Sequence, residues 1–288
     1  MKPGIPFVLA AAVAVTGCSS QAAGSPTATP AAQATLQPTP LTSTVEPRST
    51  SVAVNNSPPH PKQPVKGTPY QKAQTYLQQH DYASAQQQFK AAIGQRQHVL
   101  EAYAGLGTAD LSLRQYGAGY RAFKTAADHA PNNAAFLYNT AYAALFAHDY
   151  KSAVAYATRF IRLQPKNPNG YHLRLLAYGQ LFQHRRQVTD ARMIAQLQPR
   201  NAEAYNDLGI ALTNDRQAAA AIEAFTKAIR LVPSNPTYYK NRAIAEVVTQ
   251  QPKAALTDLE KARSLTRDPK VRRQLDPEIA TLKKLTHR

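Results

Sequence analysis

The chain has 288 residues, a formal net charge of +17 at pH 7, 21 prolines and one cysteine. A single thiol excludes an intrachain disulfide framework, and no apolar run reaches the roughly 20 residues that a membrane-spanning helix needs. So large a basic excess calls for anionic partners such as nucleic acid, phospholipid headgroups or phosphate-bearing polymers.

Lys2 is followed by a mostly apolar run from Ile5 to Val15 and then by small residues, the layout of a secretory signal. Val15-Thr16-Gly17-Cys18 resembles the lipobox of bacterial lipoproteins. That resemblance implies that the Cys18 sulfur takes a diacylglycerol and becomes the mature N-terminus. One acyl chain holds a protein to a membrane only marginally, and a second makes the anchor stable. Residues 1–17 are therefore expected to be a lipoprotein signal peptide, and the protein to sit outside the cytoplasm on a bacterial membrane.

Residues 18–67 are dominated by Pro, Thr, Ser, Ala and Gln, and no apolar period survives among the prolines. Such a composition buries too little surface to offset the entropy of ordering. It reads as a disordered tether, reaching roughly 40 Å as a coil.

From Thr68 onward the chain repeats. Pro131-Asn132-Asn133, Pro165-Lys166-Asn167, Pro199-Arg200-Asn201 and Pro233-Ser234-Asn235 recur at a spacing of 34 residues, the mark of a stacked array. Counting 34-residue units from Lys66, the eighth position is small at Ala73, Gly107, Ala141, Gly209 and Ala243. The twentieth is small at Ala85, Gly119, Ala153, Ala221 and Ala255, and the twenty-fourth brings Phe89, Phe123, Phe225 and Leu259. Small residues let two antiparallel helices approach closely, and the large ones fill the space around that contact. Proline ends the second helix of each unit, and the asparagine two residues later caps the next first helix.

These features resemble the tetratricopeptide repeat. The resemblance implies an all-α, right-handed superhelix of about six helix-turn-helix units over 68–269, with a capping helix over 270–288. Unit four departs from the pattern, with Leu175, Gln187 and Ile194 where small residues are expected and His184 in place of the turn tyrosines Tyr82, Tyr116 and Tyr150. A splayed helix pair, a local change of pitch or simple sequence drift all fit that departure. In the tail, Asp268-Pro269 and Asp276-Pro277 each read as a helix start. Val271, Leu275, Ile279, Leu282 and Leu285 form one apolar stripe, fit to cap the last unit or to lie on a membrane surface.

No phosphate loop, zinc-protease motif or nucleophile elbow occurs, the histidines are scattered, and no close acid pair suggests acid–base work. The sequence predicts no enzyme, no cofactor and no metal. In this family the first helices line a concave groove and the second helices face outward. The resemblance then places Tyr138, Tyr142, Phe146, His172, Asn206 and Lys240 in the groove. Family members that grip a peptide's terminal carboxylate use an ordered Lys/Asn/Arg set, which Asn139, Asn206, Asn241 and Lys240 do not reproduce. The middle of the groove is apolar and aromatic, suited to a helix or extended segment of another protein. Bases gather on the second helices, among them Arg121, Lys124, Arg159 and Arg162, while the first helices carry few, Arg174 and Arg242 included.

The expectation is a lipid-anchored scaffold or assembly factor that recruits envelope proteins, similar to bacterial tetratricopeptide lipoproteins. The alternative is a binder of anionic envelope polymer or lipid through the outer face. Nucleic acid does not suit an exported, tethered protein. Cys18→Ala should abolish incorporation of a fatty-acid analogue in metabolic labelling and release the protein from membranes or leave it unprocessed. Equal label on variant and wild type would contradict the anchor.

Overall fold

The computed structural model describes residues 65–286. The lipobox at Cys18 and nearly all of the proposed tether lie outside them. Thirteen helices and no strand are found among the described residues. Twelve form six antiparallel pairs: α1 (Pro69–Gln78) with α2 (Tyr82–Gly94), α3 (Val99–Ser112) with α4 (Tyr116–His129), α5 (Ala134–Phe146) with α6 (Tyr150–Leu163). α7 (Pro168–Gln180) pairs with α8 (His184–Leu197), α9 (Ala202–Asn214) with α10 (Ala218–Leu231), and α11 (Pro236–Val248) with α12 (Pro252–Leu265). The thirteenth, α13 (Pro269–Thr286), covers the last pair. First helices of neighbouring units touch, α1 with α3, α5 with α7 and α9 with α11, and no two second helices approach to that degree. The first helices therefore line the inside of the curve.

The boundaries follow from backbone chemistry. Asn133, Asn167, Asn201 and Asn235 each cap a first helix, accepting from the amides of Phe136, Asn169, Glu203 and Thr237. Every first helix ends alike. His80, Arg114, His148, Phe182, Arg216 and Gln250 adopt positive φ, one per 34 residues. The amide after each reaches five residues back, as Asp81 N–H does to the Tyr76 carbonyl at 2.9 Å. This left-handed stop satisfies the last carbonyls without a glycine. The first junction differs, because Arg96 and His98 also take positive φ and His98 gives no side-chain cap.

The pairs close through the small residues. A Cβ on Gly107 would meet the Phe123 ring at 2.6 Å, and one on Gly209 the Phe225 ring at 2.5 Å. Unit four is not splayed. Its large residue sits on the first helix, Leu175, and its small one on the second, Ala191, both buried in one cluster with Val188 and Ile194. The volumes are exchanged between the helices and their sum is kept. Gln187 is accommodated by Gly179, whose absent Cβ would lie 2.8 Å from the Gln187 amide nitrogen.

Arg174 and Arg242 do not face the groove. The Arg174 guanidinium makes two bonds to Asp190, at 2.9 and 2.8 Å, and a third to Thr158 on the preceding second helix. Arg242 repeats this with Asp258 and Thr226. Asp190 and Asp258 are buried, so each pair needs its bidentate geometry to offset desolvation. Each clamp ties three helices together.

The tail forms one helix rather than two. Pro277 lies inside α13, and Asp276 pairs with Arg263 of α12 instead of capping a new start. Continuous docking of Leu275, Ile279 and Leu282 on Ala255, Leu259 and Ala262 holds the helix through the proline. Val271 and Leu285 stay exposed at its ends.

Ala191→Phe alone should overpack unit four and destabilise by about 1–3 kcal/mol. Combined with Leu175→Gly it restores the arrangement of units two and five, and part of that loss should return. Thermal melts of the two single variants and the double variant measure the coupling. Strict additivity would show that the two positions do not exchange volume.

Candidate functional site

The inner face is built from side chains that each first helix turns away from its own partner. Adjacent first helices run in register with an offset of one residue, so a side chain on one meets the residue 35 further on. Tyr238 donates to Glu203 at 2.7 Å, Asn241 donates to Asn206 at 2.8 Å, and His172 Nδ1 stands 3.8 Å from Asp207. These bonds hold one repeat against the next, and they use up groove positions.

Asn206 is therefore not available to a ligand. It is 2% exposed and bound to Asn241. Lys240 on α11 is exposed. Tyr138 and Tyr142 are half-buried on α5, with Tyr138 against Phe160 at 5.4 Å between ring centroids. Tyr142 lies 4.7 Å from Phe146, which also packs 5.6 Å from Tyr116 of α4. Phe146 thus bridges two units as well as bordering the groove. Burial pushes the Tyr142 hydroxyl up to about 12, with Tyr138 and Tyr116 adding to the effect, so it stays neutral and able to donate.

Tyr142, Leu176, Ile210 and Ile244 recur at 34-residue intervals and form an apolar file along the inner face. Leu176 is 49% exposed and Val248, at the far end, 59%. Large aliphatic side chains left open on rigid helices mark a surface fit for a partner.

Beside that file sits an electrostatic feature that sequence reading missed. Asp207 is partly buried on the concave side; burial first, and then the charge of Glu203 one turn before it on α9, raise its carboxyl to about 7. Among the described residues no hydrogen bond is donated to it. Burial also lowers the pKa of His172 across from it. No spacing rule in the sequence reveals this, because it depends on which faces of α7 and α9 meet. The surface recesses at Gln164–Pro168 and at Phe182–Arg186 with Asp215 lie at turns and helix starts and include no residue of the file.

A family model described as Tetratricopeptide repeat matches residues 70–116, 104–168 and 176–236. Among solved structures, residues 41 to the end of MamA from Desulfovibrio magneticus RS-1 share 23% identity, with a TM-score of 0.54 over 58% of this chain and 94% of that one. YrrB, described as a TPR protein with an unusual peptide-binding site, shares 16% identity, with a TM-score of 0.55 over 66% of this chain and 97% of that one. At these identities the likeness shows the fold alone. No curated protein matches the chain.

A raised carboxyl pKa means that the folded state holds its proton where the unfolded chain has released it. Stability linked to Asp207 is therefore present below its unfolded value near 4 and is lost as pH rises toward 7. Glu246, raised to about 7 by burial with a further push from Asp258, loses stability in the same window. The difference between wild type and Asp207→Asn isolates Asp207. The variant should gain thermal stability relative to wild type on moving from pH 4 to pH 8. Parallel melting curves for the two proteins across that range would contradict a desolvated Asp207.

Proposed function

This chain belongs to the tetratricopeptide repeat family, and on that footing we propose that it is a scaffold whose concave face holds a segment of another protein. Its place is the outer side of a bacterial membrane, anchored through Cys18 and held off the surface by the proline-rich stretch of 18–67. The apolar file carries this reading. Tyr142, Leu176, Ile210 and Ile244 repeat at one position of units three to six, and Leu176 is half open to solvent without a packing role that requires it. Interior residues of a solenoid are buried against the next repeat, whereas Leu176 stays half open on the inner face and Tyr142, Ile210 and Ile244 are only partly covered. The peptide-binding site named for YrrB supports such use of the fold.

The segment that fits is mostly apolar, with side chains spaced to meet successive first helices about 10 Å apart. Asp207 at the C-terminal half, beside the Glu203 that Tyr238 holds, favours a hydrogen-bond donor or cation at that end, while Tyr138 and Tyr142 offer aromatic contact at the other. Rigid aromatic and aliphatic anchors give contact area at small entropic loss. The scaffold reading assigns the chain no catalytic step.

Peptides selected from a random library on the full chain should carry apolar residues at a repeating interval. Tyr142→Ala with Leu176→Asp should weaken them roughly 30-fold, about 2 kcal/mol, while circular dichroism keeps the helical signal. Unchanged affinity in a folded variant would move the binding surface off the groove.

A further inference from the structure

The acids and bases of the described chain are sorted to different places. On the six second helices, Asp190 and Asp258 are buried under Arg174 and Arg242, which leaves Asp128, Glu223 and Glu260 as their only solvent-facing acids. Asp128 is bonded to Lys124, and Glu260 to Lys283 of α13. The outward surface is left strongly basic.

Its bases are not randomly placed. Every second helix carries a lysine or arginine at its ninth or tenth residue: Lys90, Lys124, Arg159, Arg192, Lys227 and Lys261. The choice between ninth and tenth has a cause in units three and five. There the ninth residue is Thr158 or Thr226, which accepts from the arginine clamp of the next unit, and the base stands one residue later. Arg159 then lies over the Tyr156 ring at 5.0 Å and Lys227 over the Tyr205 ring at 5.7 Å, which orders both stems. Ninth and tenth positions flank the outward ridge about 100° apart.

We propose that this band of six cations is a binding site for a flexible, linear phosphate polymer that lies across the second helices. Successive cations stand on second helices that do not pack against one another, so they are farther apart than the roughly 10 Å of packed helices, and they sit on ridges rather than converging on a recess. A compact phosphate ligand meets one of them at a time. A chain that repeats its charge meets all six. The band is on the outside of the curve, so a flat bilayer reaches only a few second helices at once. None of the exposed large apolar residues lies on these outward ridges, with Leu163 and Val232 at helix ends, so the face has nothing to insert among acyl chains. No exposed aromatic ring accompanies the band to stack on a base, which favours a polymer without bases over single-stranded nucleic acid.

The test measures binding of the full chain to long-chain inorganic polyphosphate, to a single-stranded oligonucleotide and to phosphatidylglycerol vesicles, all at 50 mM salt. Polyphosphate should bind tightest, with log affinity falling against log salt at a slope near −4, at roughly 0.7 per phosphate neutralised. Replacing Lys90, Lys124, Arg159, Arg192, Lys227 and Lys261 by glutamine should lower that affinity at least 10-fold and flatten the slope. A control neutralises Arg96, Arg114, Lys166, Arg200, Arg216 and Lys284, an equal charge elsewhere, and should stay within about threefold of wild type. Equal loss in both variants would overturn the proposal and leave net charge alone. Tighter binding to vesicles or to the oligonucleotide would overturn it in favour of a membrane or nucleic-acid surface. Helicity by circular dichroism and thermal melts confirm that both variants are folded, the check being needed most at the half-buried Arg159 and Lys227.

Discussion

The architecture depends on one contact: the close approach of two helices within a unit, where a small residue on one takes the bulk of a large residue on the other. Gly107 against Phe123 and Gly209 against Phe225 leave no room for a methyl group. Unit four reaches the same closure with the roles reversed, Leu175 on the first helix and Ala191 on the second. What is kept is the summed volume at the crossing, in line with cores that tolerate exchange when packing is preserved. With that distance fixed, each pair exposes an apolar flank that only a neighbouring pair or a capping helix can cover. Stacking follows, and with it an inner face of first helices and an outer face of second helices.

Much of this was legible in the sequence, because local backbone chemistry repeats with the period. Pro-x-Asn marks the end of one helix and the cap of the next, and four of the five junctions show it. Other features were hidden for definite reasons. The left-handed stops after the first helices use His, Arg, Phe and Gln, so no glycine signals them. Arg174 and Arg242 read only as isolated bases on first helices until their partners Asp190 and Asp258, 16 residues on, are seen to fold back over them. Pro277 reads as a start beside Asp276, yet tertiary packing of α13 overrides the local signal. Asn206 belongs by position to the groove, but its neighbour 35 residues ahead claims it.

The two faces separate two chemistries. Asp190 and Asp258 are buried as partners of the arginine clamps, and Glu203 and Asp207 on the inner face lie beside an apolar file. The outer face keeps the bases. The net charge of +17 is unevenly shared: the second helices carry 14 bases against 5 acids, and the first helices 4 bases against 5 acids. Exposed charges act within a Debye length of about 8 Å at physiological salt, so each face can meet its own class of partner with little interference across the helix layer.

If the crossing contact is what builds each unit, and units couple only to their neighbours, damage to one crossing must stay local. Hydrogen exchange followed segment by segment in Gly209→Leu is the direct measurement, since any side chain there collides with Phe225 at 2.5 Å from its first carbon. Protection should fall in α9 and α10, and less in α8 and α11, while α1 through α6 exchange as in wild type. Loss of protection along the whole array at one rate would show instead that residues 65–286 fold as a single indivisible core.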